Sequence, residues 1–235
     1  MADESAVALR CIECSNVVPS LYQEYSPGNI KLTRCDRCHC YADEYVEHEM
    51  MVVWIDLVLH RERAYRHLLF NVPLQHRQNL KGYLWKSTIA ILLLDSGKRW
   101  LHDHKATTIF DGPIWPTLSS FFRCFLTELV LGTLPYTAVI LLLVHHWKLA
   151  PKRRWLDVLL AVHVSSFFKL FAIPMLIWRF ERAMVVLLDF FVLTSNVTAL
   201  KVLLETSYPC AGTLVICASL LHLPFNGVSW YASKS

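Results

Sequence analysis

The chain has few charged residues and few glycines, and it lacks a glycine-rich phosphate-binding loop and an internal repeat. Charged residues make up 18% of its 235 residues, hydrophobic residues make up 54%, and there are 7 glycines. Most acidic residues precede residue 80, whereas long apolar runs follow residue 120. The second half has too little polar surface for a soluble helical protein, so this composition indicates membrane-spanning helices.

A secretory signal is also missing from the first ten residues, MADESAVALR, which contain neither a basic segment nor an apolar run. We therefore expect insertion through internal spans and a cytosolic N-terminal part, where cysteines stay reduced. The N-terminal part has no basic stripe with interleaved aromatic residues, so a nucleic-acid partner is not expected.

Two pairs of cysteines stand out near the N-terminus, in the segments CIEC (11–14) and CDRCHC (35–40). Each pair has two intervening residues, which lets a tight turn direct both sulfurs at one ion, and twenty residues separate the pairs. The spacing predicts one structural Zn²⁺ site in a small zinc ribbon. Its predicted ligands are Cys11, Cys14, Cys35 and Cys38.

Other uses of these cysteines are c-type haem attachment, a redox dithiol, or two disulfides if the domain faced a lumen. The spacing and the expected cytosolic location favour zinc over all three. His39 and Cys40 remain unassigned, because either could replace Cys38 as a ligand or hydrogen-bond to a thiolate. Between the pairs, residues 21–25 and 30–33 are expected to form a hairpin across a turn at 26–29.

Residues 45–70 contain neither glycine nor proline and predict one amphipathic helix that lies on a membrane or packs on the spans. Polar residues recur along it at helical spacing and favour a solvated face over a second metal or acid/base site. These are Asp56, His60, Arg63 and His67. A candidate interaction surface on the same helix consists of Trp54, Tyr65, Arg66 and His67.

The membrane half contains four apolar segments long enough, or nearly long enough, to cross a bilayer. They are residues 121–147, 156–178, 183–204 and 208–225, and the shorter, more polar segment 83–101 is a fifth candidate. The loop WKLAPKRRW is rich in Lys and Arg and should be cytosolic. If the zinc domain is also cytosolic, segment 83–101 must cross, which gives five spans. Four spans result if that segment lies at the interface.

Of the seven ionisable residues that fall at membrane depth, four mark either a polar cleft for a lipid headgroup or sterol hydroxyl, or pairing between helices. They are Glu128, His163, Lys169 and Asp189. Possible catalytic sets, His163 with Asn196 or the segment His102–His104, have no recognised catalytic spacing, so we do not expect an enzyme.

The two cysteine pairs, followed by AYRHLLFN at residues 64–71, resemble the Arv homology domain over about residues 9–72. The resemblance implies an endoplasmic-reticulum membrane protein with roles in sterol distribution, sphingolipid balance and the supply of glycosylphosphatidylinositol (GPI) anchor intermediates. Its partners would then be membrane lipids, including sterols and GPI intermediates. The two hypotheses are a lipid carrier, or a non-transporting scaffold for GPI-anchor assembly proteins or other lipid-processing enzymes.

The expected fold is a small N-terminal zinc ribbon (β) with four cysteine ligands, followed by an all-α polytopic membrane bundle with one amphipathic interfacial helix. The predicted boundaries are 1–44 for the ribbon, 45–72 for the helix that completes the Arv homology domain, 73–120 for a linker that includes 83–101, and 121–230 for the transmembrane region.

Overall fold

A computed structural model of the chain is mostly helical, with one two-stranded sheet near the N-terminus. The structure describes residues 8–26, 29–72, 80–103, 114–149, 155–171, 173–174 and 182–232.

The sheet is the predicted hairpin. Strand β1, Tyr22–Ser26, pairs antiparallel with strand β2, Asn29–Leu32, and Tyr22 lies opposite Leu32. The centre of the predicted turn, residues 27–28, lies outside the described residues. Both strands are largely exposed, so the hairpin contributes little core. A separate small core beside it consists of Cys11, Val18, Leu21, Cys35 and Ala42.

Residues 45–70 do not form the single helix that the sequence predicts. A short 3₁₀ turn, Glu44–Val46, precedes helix α1, Met50–Val58. Helix α2, Glu62–Arg66, follows and widens into a π-type turn at His67–Asn71. The break between α1 and α2 lies at His60, whose φ of 54° is left-handed and does not continue an α-helix.

Tertiary contacts explain this break. The ring of His60 stacks on Phe168 and Phe191, with ring centroids 5.4 and 6.2 Å away, and its Nε2 lies 3.0 Å from Thr194 Oγ1. These partners lie more than a hundred residues later in the chain. Helical periodicity reflects only residues that are close in sequence, so it does not reveal contacts of this kind. The sequence therefore predicts one continuous helix.

The part of the chain predicted to enter the membrane begins with two helical segments that pack on each other. Helix α3 spans Leu80–Asp103 and contains the predicted segment 83–101. Helix α4, Ile114–Thr127, continues through a π-type turn, Glu128–Thr133, into helix α5, Leu134–His146. The turn lies just before Pro135. Proline lacks an N–H and clashes with the carbonyl four residues earlier, and the wider turn accommodates both defects.

The remaining helices are α6, Trp155–Ser165, α7, Arg182–Leu204, and α8, Tyr208–Ala232. Helix α6 passes into a 3₁₀ turn at Ser166–Phe171, so the predicted span 156–178 is not one continuous α-helix. The last residues of that predicted span, 175–178, lie outside the described residues. Helix α6 packs against α7, and α8 packs against both α5 and α7.

Two stretches of the described chain are long and apolar enough to cross a membrane, Ile114–His146 and Val186–Leu204. They match two of the four main predicted spans. A shorter apolar helix, Tyr208–Leu220, lies within a third. The main core joins these helices to α1 and α2 in one continuous cluster that includes Ile12. The cysteine region is therefore packed directly on the membrane half.

Candidate metal centre and its link to the helices

The four predicted ligand cysteines come together in the structure. Their sulfurs all lie within 4.8 Å of one another, with Cys11 Sγ 3.7 Å from Cys38 Sγ and Cys14 Sγ 3.6 Å from Cys35 Sγ. Metal–sulfur bonds of about 2.3 Å in a tetrahedron give sulfur–sulfur edges of about 3.8 Å. Disulfide bonds are much shorter, about 2.05 Å. The four sulfurs are thus spaced to bind one metal ion.

Equivalent backbone turns position the two cysteine pairs. In the first, the N–H of Cys11 donates to the carbonyl of Asn16 over 2.8 Å. In the second, the N–H of Cys35 donates to the carbonyl of Cys40 over 2.9 Å. Each turn is flanked by an antiparallel bridge, which runs from Arg10 to Val17 in the first. Two similar loops therefore face each other across the sulfurs.

This equivalence accounts for His39 and Cys40. His39 corresponds to Ser15, and both have left-handed backbones, with φ of 60° and 61°. Cys40 corresponds to Asn16, since its carbonyl closes the second turn. The thiol of Cys40 lies 3.6 Å from the carbonyl of Cys38 and is not in the four-sulfur cluster. The structure thus places Cys38, rather than Cys40 or His39, at the site.

Local hydrogen bonds and burial act in opposite directions on the thiols. Hydrogen bonds from the backbone N–H groups of Cys38 and Arg37 lower the pKa of Cys35 to about 6. Burial raises the pKa of Cys11 to about 12. A metal cation binds thiolates and displaces their protons, so it would stabilise the ionised form of both groups.

The AYRHLLFN segment holds the first cysteine turn. The guanidinium of Arg66 donates to the carbonyl oxygens of Ile12 and Glu13, over 2.7 and 2.9 Å, and also to Glu62 Oε2 over 2.7 Å. Those carbonyls belong to the two residues between Cys11 and Cys14. Arg66 therefore fixes the backbone on which two of the four sulfurs are mounted.

His67 and Asn71 continue this attachment through a buried carboxylate. Asp43 is fully buried and its Oδ2 accepts from His67 Nδ1 over 2.7 Å and from Asn71 Nδ2 over 2.6 Å. Asn71 also bonds to both backbone groups of Arg10, each over 3.0 Å. No periodic signal in the sequence identified Asp43, because its role depends on contacts 24 and 28 residues away.

These contacts correct the predicted interaction surface. Tyr65 and His67 are buried, and Arg66 is occupied by the cysteine turn, so none of the three offers an exposed contact face. Tyr65 instead donates to or accepts from Ser195 in α7 over 2.7 Å. Trp54 is partly exposed and packs its ring 5.7 Å from that of Phe167. The AYRHLLFN segment therefore lies inside the protein. Its polar side chains form hydrogen bonds with the cysteine domain on one side and with α7 on the other.

Two ion pairs complete the connection to the C-terminal end of α7. Lys201 pairs with Glu62, and Glu205 pairs with Arg10. The hydroxyl of Tyr208 also donates to Glu62 over 2.8 Å. Burial opposes ionisation of Glu62, but Lys201, Tyr208 and Arg66 outweigh it and hold the pKa of this carboxyl below its usual value.

The four polar residues predicted at membrane depth all contact one helix, α3. The carboxylate of Glu128 lies 2.7 Å from Arg99, and Lys169 lies 2.6 Å from Asp95. Asp189 lies 3.4 Å from Lys98, which also contacts Asp95 within α3. His163 Nε2 lies 2.7 Å from Thr88 Oγ1. His163 and Asn196 have separate partners, since Asn196 accepts from Ser165.

Sequence reasoning missed the α3 partners of these residues. The available signal was the charged run DSGKRW at the end of an apolar stretch, which made segment 83–101 look only like a weak span. We call the six charged residues of this network the charge layer. They are Asp95, Lys98, Arg99, Glu128, Lys169 and Asp189. The side chains of His102 and His104 lie outside the described part of the structure.

Comparison with known proteins identifies the family of the chain. The profile of the Arv1-like family matches residues 10–200. Protein ARV 2 of Arabidopsis thaliana is 34% identical over 217 residues, which is 91% of this chain and 92% of that protein. Human Protein ARV1 is 30% identical over 228 residues, 94% of this chain and 82% of that protein. No solved structure matches the chain. The chain belongs to the Arv1-like family.

Proposed function

We propose that the chain is a multi-pass endoplasmic-reticulum membrane protein that acts in intracellular sterol (cholesterol) transport and lipid homeostasis, including sphingolipids and the supply of GPI-anchor intermediates. Membership of the Arv1-like family supports a broad role in sterol and lipid homeostasis. Transport itself rests on a physical argument from the charge layer.

The charge layer is the observation that carries this proposal. Ionisable side chains between membrane helices are expensive to bury and usually mark the path or site of a polar group. Here they come from three regions that meet at α3, and the layer is open on one side, because the side chain of Asp189 is 59% exposed. An open edge of paired charges suits the polar headgroup of a lipid whose apolar part remains in the bilayer.

We assign a single structural Zn²⁺ to the cysteine site. Four thiolates are a preferred zinc ligand set, and they leave no open position for water or substrate. The residues that hold the ion are Cys11, Cys14, Cys35 and Cys38. In this proposal the cysteine domain and the basic loop lie on the cytosolic side, α3 is one of five crossings, and the chain has no catalytic activity of its own.

A scaffold for GPI-anchor assembly or other lipid-processing enzymes is the second candidate. The specific observation in its favour is that each charge of the layer already has an oppositely charged neighbour within the chain. Such pairs fix the packing of helices without binding a ligand. In this case the cysteine domain would present partner proteins to the membrane.

Exchange of labelled sterol and of labelled GPI precursor between liposomes separates the two candidates. A carrier accelerates exchange, and Glu128→Ala and Lys169→Ala should abolish the acceleration, whereas Lys31→Ala in strand β2 should not. Metal content and helix content are measured for each variant, so that loss of fold is recognised. A folded, metal-loaded chain that accelerates neither exchange contradicts the carrier proposal and leaves the scaffold.

A further inference from the structure

Helix α1 and the residue that follows it expose an unusual amount of apolar surface. Seven large apolar side chains in ten consecutive residues are exposed. They are Met50, Met51, Val52, Trp54, Ile55, Val58 and Leu59. Patches of this kind mark sites that contact a membrane or another protein. We call these seven side chains the α1 apolar face.

The opposite side of α1 is the side that packs on the protein. Val53 and Leu57 are buried in the main core, one turn apart. Asp56 is the one charged residue in α1, and it too points inward, where it accepts from Tyr45 over 2.6 Å and pairs with Arg61 over 3.0 Å. The α1 apolar face consequently carries no charge.

The position of α1 against the membrane half identifies what covers this face. Trp54 packs on Phe167, and His60, just beyond α1, contacts Phe191 and Thr194 inside the candidate span Val186–Leu204. At a rise of about 1.5 Å per residue, Thr194 lies about 15 Å from the Leu204 end of that span. Helix α1 is therefore level with residues that lie well inside the bilayer when α7 crosses it.

The outer surface of α7 near this level is apolar apart from Asp189, which lies at the open edge of the charge layer. Phe190, Leu187 and Val186 are exposed, and a bilayer surrounds them if α7 spans it. The α1 apolar face lies next to this part of α7, since His60, just beyond α1, contacts Phe191 and Thr194. In contrast, the exposed hairpin of the cysteine domain carries Gln23, Glu24 and Lys31, which suit water.

We propose that the α1 apolar face inserts into the lipid bilayer and seats the cysteine domain on the membrane. This inference rests on the membrane placement in the proposed function and deepens it. Burial of the seven side chains in acyl chains is favourable because it removes apolar surface from water. The metal site is then held at a fixed height above the lipid, since α2 connects it rigidly to α1 and α7.

Photocrosslinking in phosphatidylcholine vesicles that carry a labelled acyl chain tests this inference with the full-length, metal-loaded chain. The photoreactive residue p-benzoylphenylalanine replaces Met51 or Ile55, whose exposure of 65% and 55% makes a loss of fold unexpected. Phe190 in α7 is the positive control. Tyr25 in β1, which is 66% exposed, is the matched control in water. Metal content is measured for each variant.

We expect labelled lipid to attach at Met51 and Ile55 about as efficiently as at Phe190, and about tenfold less at Tyr25, because acyl chains are excluded from water. Lipid attachment at Phe190 alone would overturn the inference and leave the membrane placement of α7 intact. Attachment of a second copy of the chain at Met51 in place of lipid would also overturn it. If Phe190 captures no lipid, the membrane placement itself fails.

Discussion

The hydroxyl of Tyr65 lies 2.7 Å from the hydroxyl of Ser195, although 130 residues separate them in the chain. Both residues are completely buried. Tyr65 belongs to α2, directly before the arginine that holds the first cysteine turn, and Ser195 lies in the middle of a candidate membrane span. This contact joins the two halves of the protein within the core, so we expect the metal site and α7 to fold as one unit.

Tyr65→Phe should destabilise the protein without loss of packing, since only the hydroxyl is removed. The variant leaves the buried Ser195 hydroxyl without this partner, at a cost of about 1–3 kcal/mol in free energy of unfolding. The measurement is chemical unfolding of the detergent-solubilised chain. Ser195→Ala combined with Tyr65→Phe should cost less than the sum of the two single changes. Additive costs would contradict a direct interaction.

Arg66→Lys should weaken metal binding although it keeps the positive charge. Lysine cannot reproduce the planar fork that holds the carbonyls of Ile12 and Glu13 together with Glu62. Residues that orient a ligand from outside the metal shell typically contribute about 10–100-fold in affinity. Zinc affinity measured by competition with a chelator should fall by about tenfold.

The control for this experiment is Arg37→Lys, because Arg37 lies between the other two ligand cysteines and its side chain is exposed. Its zinc affinity should match that of the unaltered chain. An equal loss of affinity in both variants would show that arginine acts through charge near the thiolates, and not through the position of the first turn.

Cys35→Ser should release about one zinc per chain and unfold the cysteine domain, because a closed four-thiolate site contributes folding free energy outright. Cys40→Ser provides a matched control in the same cysteine turn. Cys40 closes the second turn through its backbone carbonyl, which serine retains, so metal content should not change. Metal analysis by mass spectrometry measures both. Metal loss in Cys40→Ser would place Cys40 among the ligands.

The cysteine site was predictable from the sequence because its determinants are local. Two short turns, each with a fixed spacing between its cysteines, direct the sulfurs, and the strands of the hairpin between them are bounded by residues that favour a turn. The residues that support the site were not predictable in the same way. Asp43 and Arg66 act through partners 24 to 54 residues away, and spacing within a helix does not reveal such partners.

The helices of the second half were likewise predictable where local sequence determines them and not where distant contacts do. Apolar length identified Ile114–His146 and the greater part of α7 as candidate spans, and the sequence singled out Glu128 and Lys169 as unusual polar residues. Their partners on α3 were not found, because α3 mixes apolar and charged residues and reads as a weak span. Likewise, the break at His60 depends on rings in α7 and in the turn after α6, so helical periodicity extended through it.

Acid should weaken the attachment of α2 to α7 through Glu62. Its pKa is held below the usual value, so the ionised carboxylate contributes stability above the unfolded pKa, and this contribution is lost as the pH falls through the folded pKa. The loss should occur below about pH 4.5.

Glu62→Gln should therefore be less stable than the unaltered chain at neutral pH, and the difference should shrink in acid. Release of metal in acid affects both chains and cancels in the comparison. A difference that stays constant from neutral to acidic pH would contradict a role for the ionised carboxylate.

Within the charge layer, loss of one partner from the pair of Lys169 and Asp95 should reduce the free energy of unfolding the most. Both side chains are largely buried, and Lys169→Met leaves Asp95 with Lys98 as its remaining cation. Removal of one member of a buried pair costs about 3 kcal/mol when the other charge is left uncompensated, so with Lys98 still beside Asp95 the cost should be below that value. The free energy of unfolding in detergent measures this cost.

Asp95→Asn in the same chain should recover part of that loss, because it removes the charge that Lys169→Met leaves behind. Lipid exchange in the two variants then separates packing from binding. If the chain is a carrier whose charge layer only holds the helices together, the double variant should regain exchange along with stability. If the layer binds a headgroup, stability should return while exchange remains lost, since a neutral amide and a thioether cannot replace an ion pair.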